Sequence, residues 1–286
     1  MIRRLLIALL LLAVLVAAAG LLVAREVQQQ WQQPLAISGK DYRLNIEAGD
    51  SLRGIAGRLV ADGVLPHPWL LRAYGRWSGL DQTIKRGEYR VPAGTTQEQL
   101  LLLLNSGKVI QYQVTLPEGI TLARALQLLA AEADLEHVLE GIEDERITAL
   151  AAPAKVAEGL FFPDTYQYEL GASDWQVLQR AHQAMRQVLE QEWSGRAEGL
   201  PYSDPYEALI MASIVERETG LASEREQIAG VFVRRLRKNM RLQTDPTVIY
   251  GLGSEFDGNL RRKHLRDDSN PYNTYRHAGL PPSPIA

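Results

Sequence analysis

The chain has 286 residues, of which 46% are apolar and 23% are charged. That length accommodates two domains with cores of their own, and the composition is that of a folded protein rather than a disordered one. The net charge of −3 lacks the basic signature of nucleic-acid binding, so nucleic acid is not an expected partner. The absence of cysteine excludes disulfides, thiolate zinc sites and a lipidated cysteine anchor.

A long apolar run lies near the N-terminus. Arg3 and Arg4 come directly before residues 5–24, which carry no charge. Twenty helical residues at about 1.5 Å each span roughly the 30 Å hydrocarbon core of a bilayer. A cleaved signal peptide is the alternative, but its apolar region usually has only about 7–15 residues. Because flanking arginines stay in the cytoplasm, we expect a transmembrane anchor at 5–24, with residues 1–4 cytoplasmic and the remainder periplasmic.

A compact unit is predicted over residues 41–109, after a glutamine-rich polar stalk at 25–40. Its order is strand, helix, helix, strand, over "YRLNI", "SLRGIAGRLVADG", "PWLLRAYGRW" and "GEYRVPAG". This order resembles a LysM module, a carbohydrate-binding unit, and the likeness lies in "EAGDSLRGIAGRL" and "RGEYRVPAG". A generic small α+β domain is the alternative, because a fold does not imply a function.

A second domain is predicted over residues 110–286. A strand at "VIQYQVTLPEG" precedes a helix at "TLARALQLLAAEA", and residues 133–157 are expected to be helical. Helices mixed with isolated strands favour an α+β fold.

The stretch "SDPYEALIMASIVERETG" begins and ends with residues that are typical of helix termini. Asp204 fits the N-cap, Pro205 the first helical position and Glu207 the third, as in a capping box. Gly220 fits just past the end as a left-handed terminator.

Two acids near the end of this helix lie about 200° apart around its axis, so they cannot serve the same cleft. Glu218 shares its face with large apolar residues, namely Met211, Ile214 and Val215. Desolvation there would raise its pKa and keep it protonated, as a general acid requires. Glu216 is interpreted as a solvated or salt-bridged helix charge. An exposed last-turn acid is the alternative for Glu218.

Three loops are dense in groups that hydrogen-bond or stack on sugars. Their polar residues are Gln243, Thr244, Asp245, Thr247 and Tyr250; Asn273, Thr274 and Tyr275; and Asp164, Thr165 and Tyr166. Asx turns are the alternative explanation for each loop taken singly. In the helix before the first loop, Arg235 could brace a carboxylate.

No metal or cofactor is expected. The histidines never fall in a ligand spacing such as H-E-x-x-H, and the chain has no G-x-S-x-G elbow and no glycine-rich phosphate loop.

Taken together, these stretches resemble the endolytic murein transglycosylases of the YceG-like family. The likeness lies in "EGLFFPDTY", "MASIVERET", "VFVRRLRKNMRLQTDPTVIYG" and "PYNTYRHAGLPPSPIA". It implies a single-pass inner-membrane enzyme that cleaves within nascent peptidoglycan strands and so terminates their growth, coupled to peptidoglycan synthases. Glu218 matches the catalytic glutamate. The residues expected to bind the glycan are Gln243, Asp245, Thr247, Tyr250 and Asn273, together with Tyr275 and Asp164.

The resemblance also implies a mechanism with one carboxylate. Glu218 would protonate the glycosidic oxygen and then accept the proton of the muramic acid C6 hydroxyl, leaving a 1,6-anhydro end. Two alternatives stay open, a muramidase-type hydrolase that pairs Glu218 with Asp245 or Asp164, and a non-catalytic glycan-binding scaffold. Family members tend to have asparagine at position 234, where this chain has Arg234. They also continue past the position of Ala286, which implies a catalytic domain truncated at its C-terminal end.

Overall fold

The computed structural model describes residues 2–151 and 156–286. The chain divides into two compact units, Met1–Gln111 and Tyr112–Ala286. Helices and short strands are mixed and an apolar helix lies near the N-terminus, so the predicted α+β architecture with such a helix is confirmed.

Helix α1 (Ile2–Gln32) is longer than the predicted anchor. Its segment Leu9–Gln32 is long and apolar enough to cross a membrane, and its apolar side chains are exposed. The helix continues through most of the expected stalk, because glutamine is a good helix former. Leu35, just beyond it, is buried in the core and donates its N–H to Thr95 O at 2.8 Å. Residues 25–40 therefore differ from the predicted polar stalk.

The rest of unit 1 consists of β1 (Asp41–Ile46), α2 (Leu52–Ala61), α3 (Trp69–Ser78), β2 (Gly87–Pro92) and α4 (Gln97–Ser106). The two strands are antiparallel, with Asp41 opposite Pro92 and Ile46 opposite Gly87. Their buried side chains form one core with those of the three helices. Helix α4 begins with a capping box at Thr96, which stabilises its first turn.

Unit 2 consists of β3 (Tyr112–Thr115), α5 (Leu122–Ala130), α6 (Glu145–Leu150), β4 (Thr165–Tyr168), α7 (Asp174–Ser194), α8 (Pro205–Glu218), α9 (Ala222–Arg237), α10 (Asp245–Leu252) and α11 (Arg262–Leu265). Strands β3 and β4 are antiparallel and pack with α5 and α7. A second cluster joins α8, α9 and α10 to the C-terminal segment.

Part of the helix predicted over residues 133–157 is wrong. Residues 133–144 form turns and irregular backbone with one β-bridge residue, since Glu136 bridges to Ser173 and the N–H groups of Val138 and Leu139 donate to the buried Asp174 carboxylate. Helix α6 then starts at the N-cap Asp144. Residues 152–155 of the predicted helix lie outside the described residues.

Helix α8 begins as predicted but ends differently. The Asp204 side chain accepts a hydrogen bond from Glu207 N at 2.9 Å, and Pro205 occupies the first turn, so the predicted N-cap and proline are confirmed. The predicted capping box is wrong, because the Glu207 carboxylate accepts from Ser203 N at 2.6 Å instead of from Asp204 N. The predicted left-handed Gly220 is wrong, because Gly220 lies outside the left-handed region. The helix instead ends at Glu218 and is capped by Thr219, whose backbone is extended and whose hydroxyl accepts the N–H of Leu221.

Candidate active site

Glu218 is the last residue of α8, and its side chain is exposed. Its Oε2 accepts a hydrogen bond from Thr244 Oγ1 at 2.6 Å. The burial expected for Glu218 is wrong, because the core side of the helix stops one turn earlier at residues such as Ile214 and Val215. The carboxylate therefore lies at the solvent-exposed C-terminal end of the helix.

Glu216 has a separate role. Its carboxylate lies 2.9 Å from Arg225 Nη2 of α9, and its side chain is partly buried. This confirms a salt-bridged helix charge and leaves Glu218 as the acid of α8 that faces Thr244.

Thr244 precedes α10 and is held by a network of buried threonines. Its N–H donates to Thr274 Oγ1 at 3.1 Å, and its carbonyl accepts from Thr247 Oγ1 at 2.8 Å. The hydroxyls of Thr247 and Thr274 lie 2.9 Å apart. All three residues are at most 2% exposed, so the direction of the Thr244 hydroxyl is fixed by packing.

Gln243 has an unusual backbone conformation. Its φ is +52°, in the left-handed region that a side chain other than glycine's rarely adopts, and its N–H donates to Thr274 O at 3.1 Å. Arg235 supports the same loop, since its Nη1 donates to the carbonyl of Leu242. The carboxylate partner considered for Arg235 is thus replaced by a backbone carbonyl. Such constrained residues cluster at functional sites, and here the constraint presents the exposed Gln243 side chain next to Thr244.

Asp245 and Tyr275 form a second polar pair near Glu218. The Tyr275 hydroxyl donates to Asp245 Oδ1 at 2.7 Å. Burial and this hydrogen bond raise the pKa of Tyr275 to about 12, and the nearby charge of Glu218 acts in the same direction. Three of the predicted site residues, Glu218, Asp245 and Tyr275, therefore lie close enough to interact electrostatically.

Two predicted binding residues, Thr247 and Asn273, are fully buried. Asn273 donates to the carbonyls of His264 and Asp267 at 3.0 and 2.7 Å and accepts from Tyr275 N at 3.1 Å. Both residues therefore shape the loops that carry Thr244 and Tyr275, since a buried side chain cannot touch a glycan.

Tyr250 connects α10 to Glu158, a residue that the sequence reasoning missed. Its hydroxyl donates to Glu158 Oε2 at 3.0 Å, while Glu158 Oε1 accepts from Leu122 N at 2.6 Å. Burial raises the pKa of both Glu158 and Tyr250. The available signal was the acid at the start of "EGLFFPDTY", one of the stretches that carry the family resemblance.

Asp164 makes local contacts. Its Oδ1 accepts from Thr165 N at 2.6 Å, and its carbonyl accepts from Leu116 N at 3.0 Å. These contacts tie the loop before β4 to β3, so they do not join Asp164 to the Glu218 group. Among the described residues, no group of three His, Asp or Glu side chains is arranged to hold a metal ion.

Comparisons with known proteins agree with this arrangement of motifs. The YceG-like family matches residues 44–286. An endolytic murein transglycosylase of Bacillus subtilis (strain 168) is 31% identical over 264 residues, which cover 85% of this chain and 71% of that protein. One of Streptococcus pneumoniae (strain D39) is 26% identical over 286 residues, and the match spans 51% of its length.

A solved structure is also similar. The crystal structure of a putative yceG-like protein from Listeria monocytogenes aligns with a TM-score of 0.51 and 26% identity, over 87% of each chain. Because the family match extends over most of its length, the chain belongs to the YceG-like family.

Proposed function

We propose that the chain is an endolytic murein transglycosylase. It would cleave the β-1,4 bond between MurNAc and GlcNAc within peptidoglycan strands and leave 1,6-anhydro-MurNAc ends, which would terminate growing strands. Its membership of the YceG-like family and its 31% identity to a relative of that name support this activity. The observation that carries the proposal for the site is the exposed Glu218 carboxylate with the buried Thr244 hydroxyl directed at it.

Glu218 would act first as an acid and then as a base. It donates a proton to the glycosidic oxygen as the bond from that oxygen to C1 of MurNAc breaks. The C6 hydroxyl oxygen of the same sugar then bonds to C1, and its proton returns to Glu218. Because the attack is intramolecular, positioning replaces the second carboxylate that activates water in a hydrolase.

The neighbouring residues divide into two groups. Gln243, Asp245 and Tyr275 are exposed or partly exposed near Glu218 and are proposed to contact the glycan. A tyrosine ring can stack on a sugar face, while amide and carboxylate groups bind hydroxyls. The buried Thr247 and Asn273, with Tyr250, hold these residues in place. For Asp164, the proposed role is a binding position further along the glycan.

The hydrolase alternative requires a second carboxylate with access to water. Asp245 is the better candidate, because it is exposed and shares a neighbourhood with Glu218, with its Oδ1 bound by the Tyr275 hydroxyl. We favour the transglycosylase over this alternative because the relative at 31% identity carries that name and the chain belongs to the same family.

The test is digestion of purified peptidoglycan by the wild type and by Glu218→Gln, with released fragments measured by mass spectrometry. We expect anhydro-ended fragments from the wild type and none from Glu218→Gln. Glu216→Gln is the matched control, because it removes a charge two residues away and should keep the activity. An active Glu218→Gln variant would reject the site. Unchanged glycan with the wild type, alongside measurable binding, would favour a glycan-binding scaffold.

We also propose that α1 anchors the chain in the inner membrane, with its N-terminus cytoplasmic and the rest of unit 1 and unit 2 periplasmic. Its length, its apolar composition and the Arg3 and Arg4 that precede the apolar run support this placement. Unit 1 would be a LysM-like glycan-binding module, as its order β1, α2, α3, β2 suggests. Peptidoglycan synthases, which act at the same membrane surface, are the proposed protein partners.

A further inference from the structure

The C-terminal end of α1 is attached to the rest of unit 1 by side-chain and backbone contacts. Gln97 Nε2 of α4 donates to Gln30 O at 3.3 Å, and the rings of Trp31 and Tyr74 lie 4.3 Å apart. Directly after the helix, Pro34 forms a β-bridge with Thr96. The rest of unit 1 is therefore packed against the C-terminal end of α1 and is not joined to it by a free stalk.

A cleft of about 450 Å³ lies at this junction. Its lining includes Glu26 and Gln30 of α1, His67 and Trp69 around the start of α3, and Gln97 of α4. None of the described residues that line the cleft is a lysine or an arginine. Glu26 is exposed, and its Oε1 accepts from Gln30 Nε2 at 3.0 Å, so the cleft is polar and carries negative charge.

The depth of the cleft corresponds to the lipid headgroups. Glu26 and Gln30 come two and six residues after Ala24, the last residue of the apolar run, which is about 3 and 9 Å along the helix axis. The headgroup layer extends about 5–8 Å beyond the hydrocarbon core. If residues 5–24 span the core, the cleft opens where headgroups lie.

Gln97 supplies a buried, unsatisfied acceptor in the lining of the cleft. The residue is 6% exposed, and its Nε2 is used by the bond to Gln30 O. Its Oε1 is buried and has no hydrogen-bond partner among the described residues. If the amide oxygen and nitrogen of Gln97 were exchanged, the oxygen would face the Gln30 carbonyl and would still lack a hydrogen-bond donor. A buried acceptor of this kind is costly unless a donor reaches it.

The exposed rim has the character of a membrane interface. Trp69 is 48% exposed and lines the cleft beside His67. Tryptophan is enriched at the headgroup level of membranes, and its ring face attracts cations. An ammonium group entering the cleft would thus meet an aromatic ring, a carboxylate and an acceptor without a donor.

We propose that this cleft binds the primary ammonium group of an ethanolamine phospholipid, with Gln97 Oε1 and the Glu26 carboxylate accepting its N–H groups. The proposal rests on the membrane anchor proposed for α1. A primary ammonium has three N–H donors, whereas the quaternary ammonium of choline has none. The site should therefore select by donor number rather than by charge.

The test uses the full chain in lipid nanodiscs of phosphatidylcholine that contain a small fraction of phosphatidylethanolamine or its N-methyl or N,N-dimethyl form. Lipid retained by the protein is measured by native mass spectrometry. We expect retention to fall stepwise as each N–H is replaced by methyl. Equal retention of phosphatidylethanolamine and phosphatidylcholine would overturn the proposal.

Two variants and a control locate the site. Glu26→Gln should lower the preference for phosphatidylethanolamine several-fold, and Gln97→Met should abolish it. Because Gln97 is buried and its replacement could unfold unit 1, the exposed Glu26 provides the independent result. Glu98→Gln removes an exposed acid next to Gln97 that is not part of the lining, and it should leave the preference unchanged. A preference that survives both Glu26→Gln and Gln97→Met would contradict the assignment.

Two further experiments test which molecule carries the amine and whether α1 anchors the chain in a membrane. If a soluble amine-bearing peptidoglycan fragment displaced phosphatidylethanolamine at equal concentration, the lipid assignment would be wrong. The ligand of the cleft would then be a glycan peptide. Extraction of the chain from membranes by alkaline carbonate would reject the anchor, and the lipid site with it. A chain that resists extraction but shows no headgroup preference would reject the lipid site alone.

Discussion

The carboxylate of Glu218 is exposed, and one of its oxygens is bound by the hydroxyl of Thr244. That hydroxyl belongs to a residue that is 2% exposed and is fixed by Thr247 and Thr274. The reactive group is therefore open to substrate on one side and oriented by packed residues on the other. This combination suits an acid that must meet a polymer and still keep a defined direction.

Replacing Thr244 with valine should lower kcat roughly 10- to 100-fold with little change in KM. A hydrogen bond to a charged group contributes about 1.5–3 kcal/mol, and each 1.4 kcal/mol lost from the transition state is about tenfold in rate. Valine keeps the shape of the residue, whereas Thr244→Ser keeps the hydroxyl and should stay within a few-fold of the wild type. Steady-state kinetics on defined glycan strands, with the pH profile of kcat, provide the measurement. Wild-type kcat in Thr244→Val would show that the contact has no role in catalysis.

At the scale of elements, Glu158 joins three segments of unit 2. It is 7% exposed, and it binds the first residue of α5 and Tyr250 of α10 from the loop before β4. Burial raises its pKa above the ordinary 4.5, so the folded state disfavours the charged form. Its contribution to stability is complete below pH 4.5 and is lost as the pH rises through its folded pKa.

Glu158→Gln should therefore weaken the pH dependence of unfolding. Glutamine does not ionise. The free energy of unfolding of the variant should therefore increase relative to that of the wild type as the pH rises from about 4. Urea unfolding at a series of pH values provides the measurement. Glu192→Gln, an exposed acid on α7, is the control and should leave the slope unchanged. A slope that is the same in Glu158→Gln and the wild type would contradict a buried, destabilised carboxylate.

Helix α10 packs tightly against the loop that carries Tyr275. A Cβ added to Gly251 would lie 2.0 Å from Asn270 Oδ1, which accepts the N–H of Tyr272. Gly251→Ala should destabilise unit 2 by about 1–3 kcal/mol, as overpacking does, and should reduce activity by shifting this loop. Thermal unfolding and glycan digestion provide the measurements.

Gly220→Ala is the matched control for Gly251→Ala. An added Cβ there meets nothing within 4 Å, and the backbone lies outside the left-handed region. This substitution should change the free energy of unfolding by no more than about 0.5 kcal/mol. A clear loss of stability in Gly220→Ala would instead support the left-handed helix end that the sequence suggested.

Local signals were predictable from the sequence and distant contacts were not. The Asp204 cap and the βααβ order of unit 1 depend on neighbouring residues and periodicity, which can be read directly. The burial of Glu218 was mistaken, because helical periodicity does not indicate where the core ends. The partners Thr244 and Glu158 lie 26 and 92 residues from the groups that they bind, so only the folded chain identifies them.

The stalk was mispredicted for a related reason. Glutamines in residues 26–33 read as polar linker, yet they are compatible with a helix whose partly buried Trp31 packs on unit 1. Composition describes the exposed face of such a segment and misses its few packed residues.

At the scale of the whole molecule, the account requires that Arg3 and the part of the chain after α1 lie on opposite sides of a membrane. Because the chain has no cysteine, a single introduced cysteine can report its own side. In intact spheroplasts, Arg90→Cys on β2, an exposed position, should react with a membrane-impermeant maleimide. Arg3→Cys should react only after permeabilisation. Labelling of both positions, or of neither, before permeabilisation would contradict the proposed topology.

The central claim is that Glu218 catalyses an intramolecular cleavage without water. Digestion of glycan strands in water enriched in oxygen-18, followed by mass spectrometry of the new MurNAc ends, tests it most directly. We predict ends that are lighter than a reducing end by one water, carry no label, and are absent with Glu218→Gln. Reducing ends that carry oxygen-18 would contradict the account and identify a hydrolase.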